Sequence, residues 1–269
     1  MFIIPSAPDV AFKILKFPVY WYGITMSIAI FVGIITANKL FGKTWFDKEK
    51  DIIIEYAPMI ILFGILGARL YYCCLNPEYY FVHPFEILDI RKGGLSIHGG
   101  ILGGLASIFF MSRKTKIPFL KLIDPLSCGI ILGQAIGRWG NYFNSEAYGF
   151  PTLSQNWGLY VPLHARVSEF SNYELFHPTF LYESILDLGA FFILFFLFHR
   201  FGKKYSGLTF FSYLIIYSLI RFFVESIRID SALNIGTIPI AQVISVLMSI
   251  VGFVGIYIVI AQKKDSVSN

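Results

Sequence analysis

Seven stretches of this chain are apolar for long enough to cross a lipid bilayer, and they limit the class of fold before any motif is read. They lie near residues 20–40, 52–74, 98–112, 122–140, 179–199, 208–226 and 238–261, against the roughly 20 apolar residues that a spanning helix needs. In hydrocarbon each backbone N–H and C=O must find its partner within the segment or in a closed barrel, so runs of this length predict helices. The expected fold is an all-α integral membrane protein, a single polytopic domain of seven transmembrane helices. Composition agrees, since 14% of the 269 residues are charged where soluble domains average about 25%. The third run, SIHGGILGGLASIFFMS, is short and glycine-rich, and glycines there permit close helix contact.

Lys and Arg predict the orientation. With the N-terminus outside, the cytoplasmic segments hold Lys39, Lys43, Lys48 and Lys50, then Arg113, Lys114, Lys116 and Lys121, then Arg200, Lys203 and Lys204, and last Lys263 and Lys264. These are thirteen of the 22 basic residues, and the positive-inside rule therefore puts the N-terminus outside and the C-terminus in the cytoplasm. The same arrangement puts the long 141–178 connection outside as a small extracytoplasmic head, too long for an ordinary tight loop. The net charge of +5 points in a membrane chain to phosphate-bearing lipid and not to nucleic acid. The first residues, MFIIPSAPDVAFKILKFPVYWYG, lack the basic, apolar and small-residue regions of a signal peptide and are expected to stay on the protein. Cys73, Cys74 and Cys128 have no metal-ligand spacing and are expected to be buried.

Polar clusters fall at the outer ends of these runs. The segment GRWGNYFNSEAYG, Gly137 to Gly149, sets Arg138, Asn141, Asn144 and Glu146 at the end of an apolar helix. An ionisable side chain facing lipid there costs roughly 2.5–3.5 kcal/mol, so the cluster faces protein, water or a ligand. A guanidinium fork beside two amides suits a phosphate or lipid headgroup. The simpler account is an arginine snorkelling to the interface, with asparagines turning the chain. GGLSIHGGILGG, residues 93–104, carries His98, either a helix-start residue among packing glycines or a proton acceptor. No His, Cys or carboxylate stands near it at ligand spacing, so neither metal nor cofactor is expected. In YSLIRFFVESIRID, Tyr217, Arg221, Glu225 and Arg228 share one helix face, with Arg221 and Glu225 able to pair with each other. HPTFLYES places His177 and Pro178 at a helix start, with Glu183 and Asp187 as an inward-facing acidic pair.

These motifs together resemble the bacterial prolipoprotein diacylglyceryl transferases. The resemblance runs in order through WYG at 21–23, GGLSIHGG at 93–100, GRWGNYFNSEAYG at 137–149, HPTFLYE at 177–183 and YSLIRFFVESIR at 217–228, nearly the whole chain. It implies transfer of the diacylglyceryl group from phosphatidylglycerol to the lipobox cysteine of a preprolipoprotein signal peptide, leaving a thioether and glycerol phosphate. It further implies a bacterial plasma-membrane location, with membrane lipid as surroundings and substrate. Carried over residue by residue, His98, Arg138 and Arg221 take catalytic positions, and Tyr22, Asn141, Glu146, Gly149, Tyr217 and Glu225 take substrate-binding positions. On this reading the arginines hold the donor phosphate, His98 removes the thiol proton, and Glu146 and Glu225 position the arginines. Two other classes stay open from the residues alone, a lipid transporter or scramblase and a lipid phosphotransferase, which would move the other half of the donor.

Overall fold

A computed structural model describes the chain except for Met1, residues 45–50, Arg91, Lys92, Gln155, residues 230–233, 236–237 and Asn269. Lys48 and Lys50, used above for orientation, lie outside the described residues. The seven expected spans are helices: α1 (Trp21–Thr44), α2 (Ile52–Leu75), α4 (Ile97–Thr115), α5 (Phe119–Phe143), α6 (Thr179–Phe201), α7 (Leu208–Glu225) and α8 (Ile240–Ser268), with a short helix α3 (Pro77–Val82) between α2 and α4. Among the described residues six are long and apolar enough to cross a membrane by themselves. The exception is α4, whose 19 residues include the glycines of the GGILGG segment. The chain is thus a multi-pass membrane protein. Its described residues form two compact units, 38–123 and 1–37 with 124–269.

In the unit of residues 38–123, α2 and α4 meet backbone to backbone. A Cβ at Gly99 would lie 2.2 Å from the carbonyl oxygen of Gly67, and one at Gly103 would lie 2.1 Å from that of Phe63. Lipid tails are as apolar as leucine, so helices in a bilayer gain mainly from this kind of close approach. Cys73 is buried but Cys74, the next residue round α2, is exposed, which corrects the expectation that all three cysteines are buried. Asn38 ties the end of α1 to the start of α2, donating to Asp51 at 3.1 Å and accepting from the Ile54 N–H at 3.3 Å.

The guanidinium of Arg69 gathers the backbone of the segment before α4. Arg69, 4% exposed, donates from Nε to Ile87 O at 2.9 Å, from Nη1 to Gly93 O at 2.7 Å and Gly94 O at 3.1 Å, and from Nη2 to Glu86 O and to Asp89 O at 3.2 Å. A guanidinium has five N–H donors, and here five backbone carbonyls receive them. Gly94 adopts φ +72°, and a Cβ there would stand 2.6 Å from Arg69 Nη1. The Ser96 N–H then donates to Ala68 O at 3.0 Å, so the chain enters α4, and His98 in its first turn, from a fixed direction.

The other unit holds α5 to α8 and α1 up to Ala37. α1 and α5 touch at Gly33 and Gly129, where a Cβ on Gly129 would lie 2.3 Å from Gly33 O. α7 starts at Gly207 without a side-chain cap of its own. Asp124 on α5, fully buried, supplies one by accepting the N–H groups of Gly207 at 2.7 Å and Phe210 at 2.8 Å, a favourable place for a carboxylate at a helix N-terminus.

A small head is present, but the 141–178 connection does not build it alone. Its sheet runs β1 (Phe2–Ile4), β4 (Trp157–Tyr160), β5 (Leu175–Phe176), with β1 parallel to β4 and β5 antiparallel to it. The first residues of the chain therefore complete the sheet. Tyr148, Leu159, Val161, Phe176 and Phe180 form its core, and the Tyr148 hydroxyl donates to Ala165 O at 2.6 Å while accepting from the Val167 N–H at 2.9 Å. Two short hairpins, β2 (Val10–Ile14) with β3 (Phe17–Tyr20) and β6 (Asn234–Ile235) with β7 (Ile238–Pro239), precede α1 and α8 respectively.

Replacing Arg69 by Lys leaves at most three donors in place of a planar fork. A carbonyl that stays buried without its partner costs about 1–3 kcal/mol, so amide hydrogen exchange in residues 86–96 of Arg69→Lys should be at least about tenfold faster, with the α5 to α7 amides unchanged. Equal protection in variant and parent would show that the loop does not depend on the guanidinium.

Candidate active site

α5, α6 and α7 bring their polar residues to one place. Arg138, on the last turns of α5, donates from Nη2 to Glu183 Oε1 on α6 and lies 3.5 Å from the Tyr217 hydroxyl on α7. Arg221, on α7, reaches the other oxygen of the same carboxylate, Nη1 to Glu183 Oε2 at 3.3 Å, and pairs through Nη2 with Glu225 Oε2 at 2.5 Å. Arg228 Nη1 stands 4.0 Å from that same Glu225 oxygen. One buried carboxylate therefore links two guanidinium groups from different helices. The glutamate side chains are 2–3% exposed and the arginine side chains 14–18%, so the carboxylates are sealed in protein and the arginines are the more exposed partners.

Sequence reasoning placed Glu183 on the inward face but gave the arginines to Glu146 and Glu225. Glu225 does pair with Arg221. Glu146 instead accepts the side-chain amides of Asn141 at 2.9 Å and Asn144 at 3.4 Å. Its backbone explains why. Ser145 and Ala147, on either side of it, have φ of +53° and +56°, a left-handed conformation that side chains other than glycine rarely take and that costs of order 1–3 kcal/mol where it occurs. The turn leads the chain from α5 into the head and points the Glu146 carboxylate back at Asn141. The signal for Glu183 was its setting, a carboxylate one turn from another in an otherwise apolar helix.

Tyr22 opens α1 with its ring against Gly140, where a Cβ would come within 2.9 Å of it. Gly149 is enclosed: its N–H donates to His177 O at 2.9 Å, it forms an isolated bridge with Arg228, and a Cβ would lie 2.9 Å from Ile227 O. Its glycine is explained by packing between the head and the end of α7. His177 has a structural setting too, with Nδ1 3.1 Å from the Tyr182 hydroxyl and its ring edge-on to Trp157 at 5.3 Å.

Below the arginines the polar track continues. Tyr217 stacks on Tyr213 at 5.8 Å, and the Tyr213 hydroxyl donates to Gln134 Oε1 at 3.3 Å. Asp187, one turn beyond Glu183, is fully buried, and neither of its oxygens has a hydrogen-bond partner among the described residues. His98 belongs to the other unit. It lies in the first turn of α4, exposed, with its ring 6.1 Å from that of Tyr71. Among the described residues no group of three or more His, Cys, Asp or Glu side chains is arranged to hold a metal ion.

This chemistry, two guanidinium groups converging on one carboxylate with a tyrosine hydroxyl beside them inside a helical membrane bundle, suits an anionic phosphodiester at the end of a lipid. Comparison with known proteins agrees in kind. Residues 9–258 match the family described as prolipoprotein diacylglyceryl transferase. A phosphatidylglycerol–prolipoprotein diacylglyceryl transferase of Clostridium novyi is 42% identical over 257 residues, covering 91% of this chain and 93% of the relative. That of Thermosynechococcus vestitus is 39% identical over 244 residues, 91% of this chain and 90% of the relative, and that of Trichormus variabilis is 37% identical over 267 residues, 98% and 93%. With the match running through all the helices that form the arginine cluster, the chain belongs to the prolipoprotein diacylglyceryl transferase family.

Proposed function

We propose that this protein transfers the diacylglyceryl group of phosphatidylglycerol to the lipobox cysteine of preprolipoproteins, the first step of bacterial lipoprotein maturation. The observation that carries this reading is the pair Arg138 and Arg221, held by one buried carboxylate while 18% of each arginine side chain stays exposed, in a chain that matches the family over nearly its full length. The cysteine sulfur forms a bond to the glycerol carbon that bears the phosphate. The bond from that carbon to the phosphate oxygen breaks, and the electron pair leaves with glycerol phosphate. Charge gathers on the departing phosphate, where fixed cations in a water-poor site stabilise it far more than they would in water.

Arg138 and Arg221 take the phosphate, and Glu183 and Glu225 hold their planes in place. Tyr22, Asn141 and Tyr217 take headgroup or acceptor on this reading, while Glu146 accepts from the Asn141 and Asn144 amides and Gly149 packs the head against the end of α7. The thiol proton is assigned to His98, an exposed imidazole whose ring nitrogen can act as a base. The nucleophile comes with the acceptor, so the protein's own cysteines are not needed. The N-terminus and the head lie outside the plasma membrane and the C-terminus inside, in accord with the lysines and arginines near the helix ends.

The bond broken separates this reading from a phosphotransferase. With phosphatidylglycerol labelled differently in its acyl chains and at phosphorus, only the acyl label should reach a lipobox peptide, and it should resist hydroxylamine. Phosphorus on the peptide would establish phosphoryl transfer, and lipid redistributed between leaflets without peptide labelling would establish a scramblase.

Substitution tests the arginine clasp. Arg138→Lys and Arg221→Lys should each lower kcat/KM by about 10²-fold or more, the usual size of losing an oriented donor at a developing anion, because an ammonium cannot reproduce two planar contacts. Glu183→Gln should also lose activity and lower the melting temperature, since it removes the buried charge that the two arginines share. Parental kcat/KM in any of these folded variants would remove that residue from the phosphate site.

Orientation is read by labelling. Leu153, at 104% relative exposure, sits on the head, and a cysteine there in a cysteine-free background should react with an impermeant maleimide in intact spheroplasts. Protection until the membrane is opened would reverse the topology.

A further inference from the structure

α2 outruns its partner α4 at one end. Gly99 and Gly103 of α4 meet Gly67 and Phe63 of α2 at backbone distance, and the Ser96 N–H just before α4 donates to Ala68 O at 3.0 Å. α4 therefore begins level with Ala68 and Arg69. Leu75, the last residue of α2, lies seven residues further on, about 10 Å along the axis at 1.5 Å per residue. What stands beside those last two turns is the connection itself: α3, then a 3₁₀ turn over Pro84–Leu88, then the stretch whose carbonyls Arg69 gathers. The chain leaves α2 at its end and comes back along it before α4 starts.

The polarity of this connection is turned inside out. On its inner side the Arg69 guanidinium lies 5.2 Å over the Tyr80 ring, which is edge-on to Tyr72 at 6.5 Å. Glu86, half-buried, accepts from the Tyr79 hydroxyl at 2.8 Å, and Asp89 is half-buried too. On its outer side Phe81, Val82, Phe85, Leu88 and Ile90 are 47–90% exposed, and His83 beside them stacks on Tyr79 at 4.7 Å. A loop in water presents its carboxylates and tucks in its large apolar side chains. This one does the reverse.

We propose that residues 81–90 are a re-entrant edge of the bundle, and that the acyl region of the membrane just beneath the lipid headgroups is the partner of their outer side. Continuity names that occupant. The segment runs beside the last turns of α2, a helix long and apolar enough to cross a bilayer, on which Leu70 and Leu75 are exposed as well. Backbone chemistry agrees. Non-helical backbone at membrane depth persists where protein meets its polar groups, and Arg69 spends all five donors on carbonyls between Glu86 and Gly94, which a loop surrounded by water would not require. The length of α4 points the same way. Its sixteen residues before Arg113 cover about 24 Å of the roughly 30 Å hydrocarbon core, and the re-entrant segment fills the remainder at the end where α4 falls short. The inference concerns a different part of the chain from the arginine clasp and holds whether or not the proposed transfer does.

The test uses the full-length protein in nanodiscs of phosphatidylcholine and phosphatidylglycerol, carrying one nitroxide at a time through Glu78→Cys, Phe85→Cys, Leu88→Cys or Leu153→Cys. All four positions are exposed, so the label needs no repacking. Cys74→Ala removes the exposed native thiol, and Cys73 and Cys128 are buried away from the reagent. Power saturation should show the labels at 85 and 88 open to molecular oxygen, which enters hydrocarbon, with nearly all access lost to a water-soluble nickel chelate. Labels at 78 and 153 should keep that access. A second measurement needs no label: Phe85→Asp puts a charge against lipid and should speed amide exchange across residues 86–90 at least about tenfold, while Phe85→Leu should match the parent. Nickel access at 85 and 88 equal to that at 153 would place the segment in water. Loss of oxygen and nickel access alike, with spin–spin broadening that fades on dilution with unlabelled protein, would mean that a second copy covers it. Either result, or unchanged exchange in Phe85→Asp, would overturn the assignment, and none of these readings depends on turnover.

Discussion

The carboxylate of Glu183 is the contact on which the rest of this bundle depends. A buried glutamate is costly unless its charge is met and its lone pairs are used, and here Arg138 from α5 and Arg221 from α7 meet it from two sides. The same two helices are tied again at their other ends, where Asp124 of α5 caps the first turn of α7 at Gly207. Fourteen residues separate Asp124 from Arg138 and fourteen separate Gly207 from Arg221, so α5 and α7 run side by side in the same direction with matched lengths between two polar ties. A shift of either helix along its axis would break both. Apolar side chains facing lipid provide no such register, because sliding changes little of what they touch.

Glycine provides the closeness and arginine the direction. Gly67, Gly99 and Gly103 let α2 and α4 approach at backbone distance, and Gly33 and Gly129 do the same for α1 and α5. Neither contact determines where the intervening loops go. That is the work of Arg69, whose five donors order the carbonyls of residues 86–94. In water such a loop would be satisfied by solvent and would gain little from a guanidinium. At the edge of a bilayer the same carbonyls have fewer alternatives, and a single side chain becomes sufficient to orient the turn that carries His98.

Six of the helices were legible as long apolar runs and α4 as a shorter, glycine-rich one, and the Arg221–Glu225 pair because its spacing of four is a helical property readable along one segment. The head sheet was not. Its strands are two to four residues long, too short for an alternating pattern, and β1 finds β4 across about 150 residues of intervening chain. The role of Glu183 was hidden for a related reason. Its inward direction could be read from α6 alone, but its partners lie on α5 and α7, and no spacing within one helix says which neighbour a carboxylate will meet. Glu146 was misassigned because proximity in the chain to Arg138 suggested a contact that the left-handed turn at Ser145 and Ala147 directs elsewhere.

Charge within the ion-paired set bears on how such a site would release its product. Arg138, Arg221 and Arg228 contribute three positive charges, and Glu183 and Glu225 two negative ones, so the set carries an excess of one. A phosphodiester brings one negative charge and closes that balance, which favours binding of an anionic lipid over a zwitterionic one in a low-dielectric surrounding. Cleavage at carbon converts the diester into a monoester that can carry a second negative charge, and among the described residues the ion-paired set holds no further cation to meet it. The product is thereby less well matched than the substrate, and water, which solvates a dianion strongly, becomes the better environment. Because the arginines are held by glutamates and do not depend on the ligand for their position, they need not collapse onto one another when the phosphate leaves. On the proposed function, the clasp that organises three helices is in this way also what would keep the site ready for the next lipid.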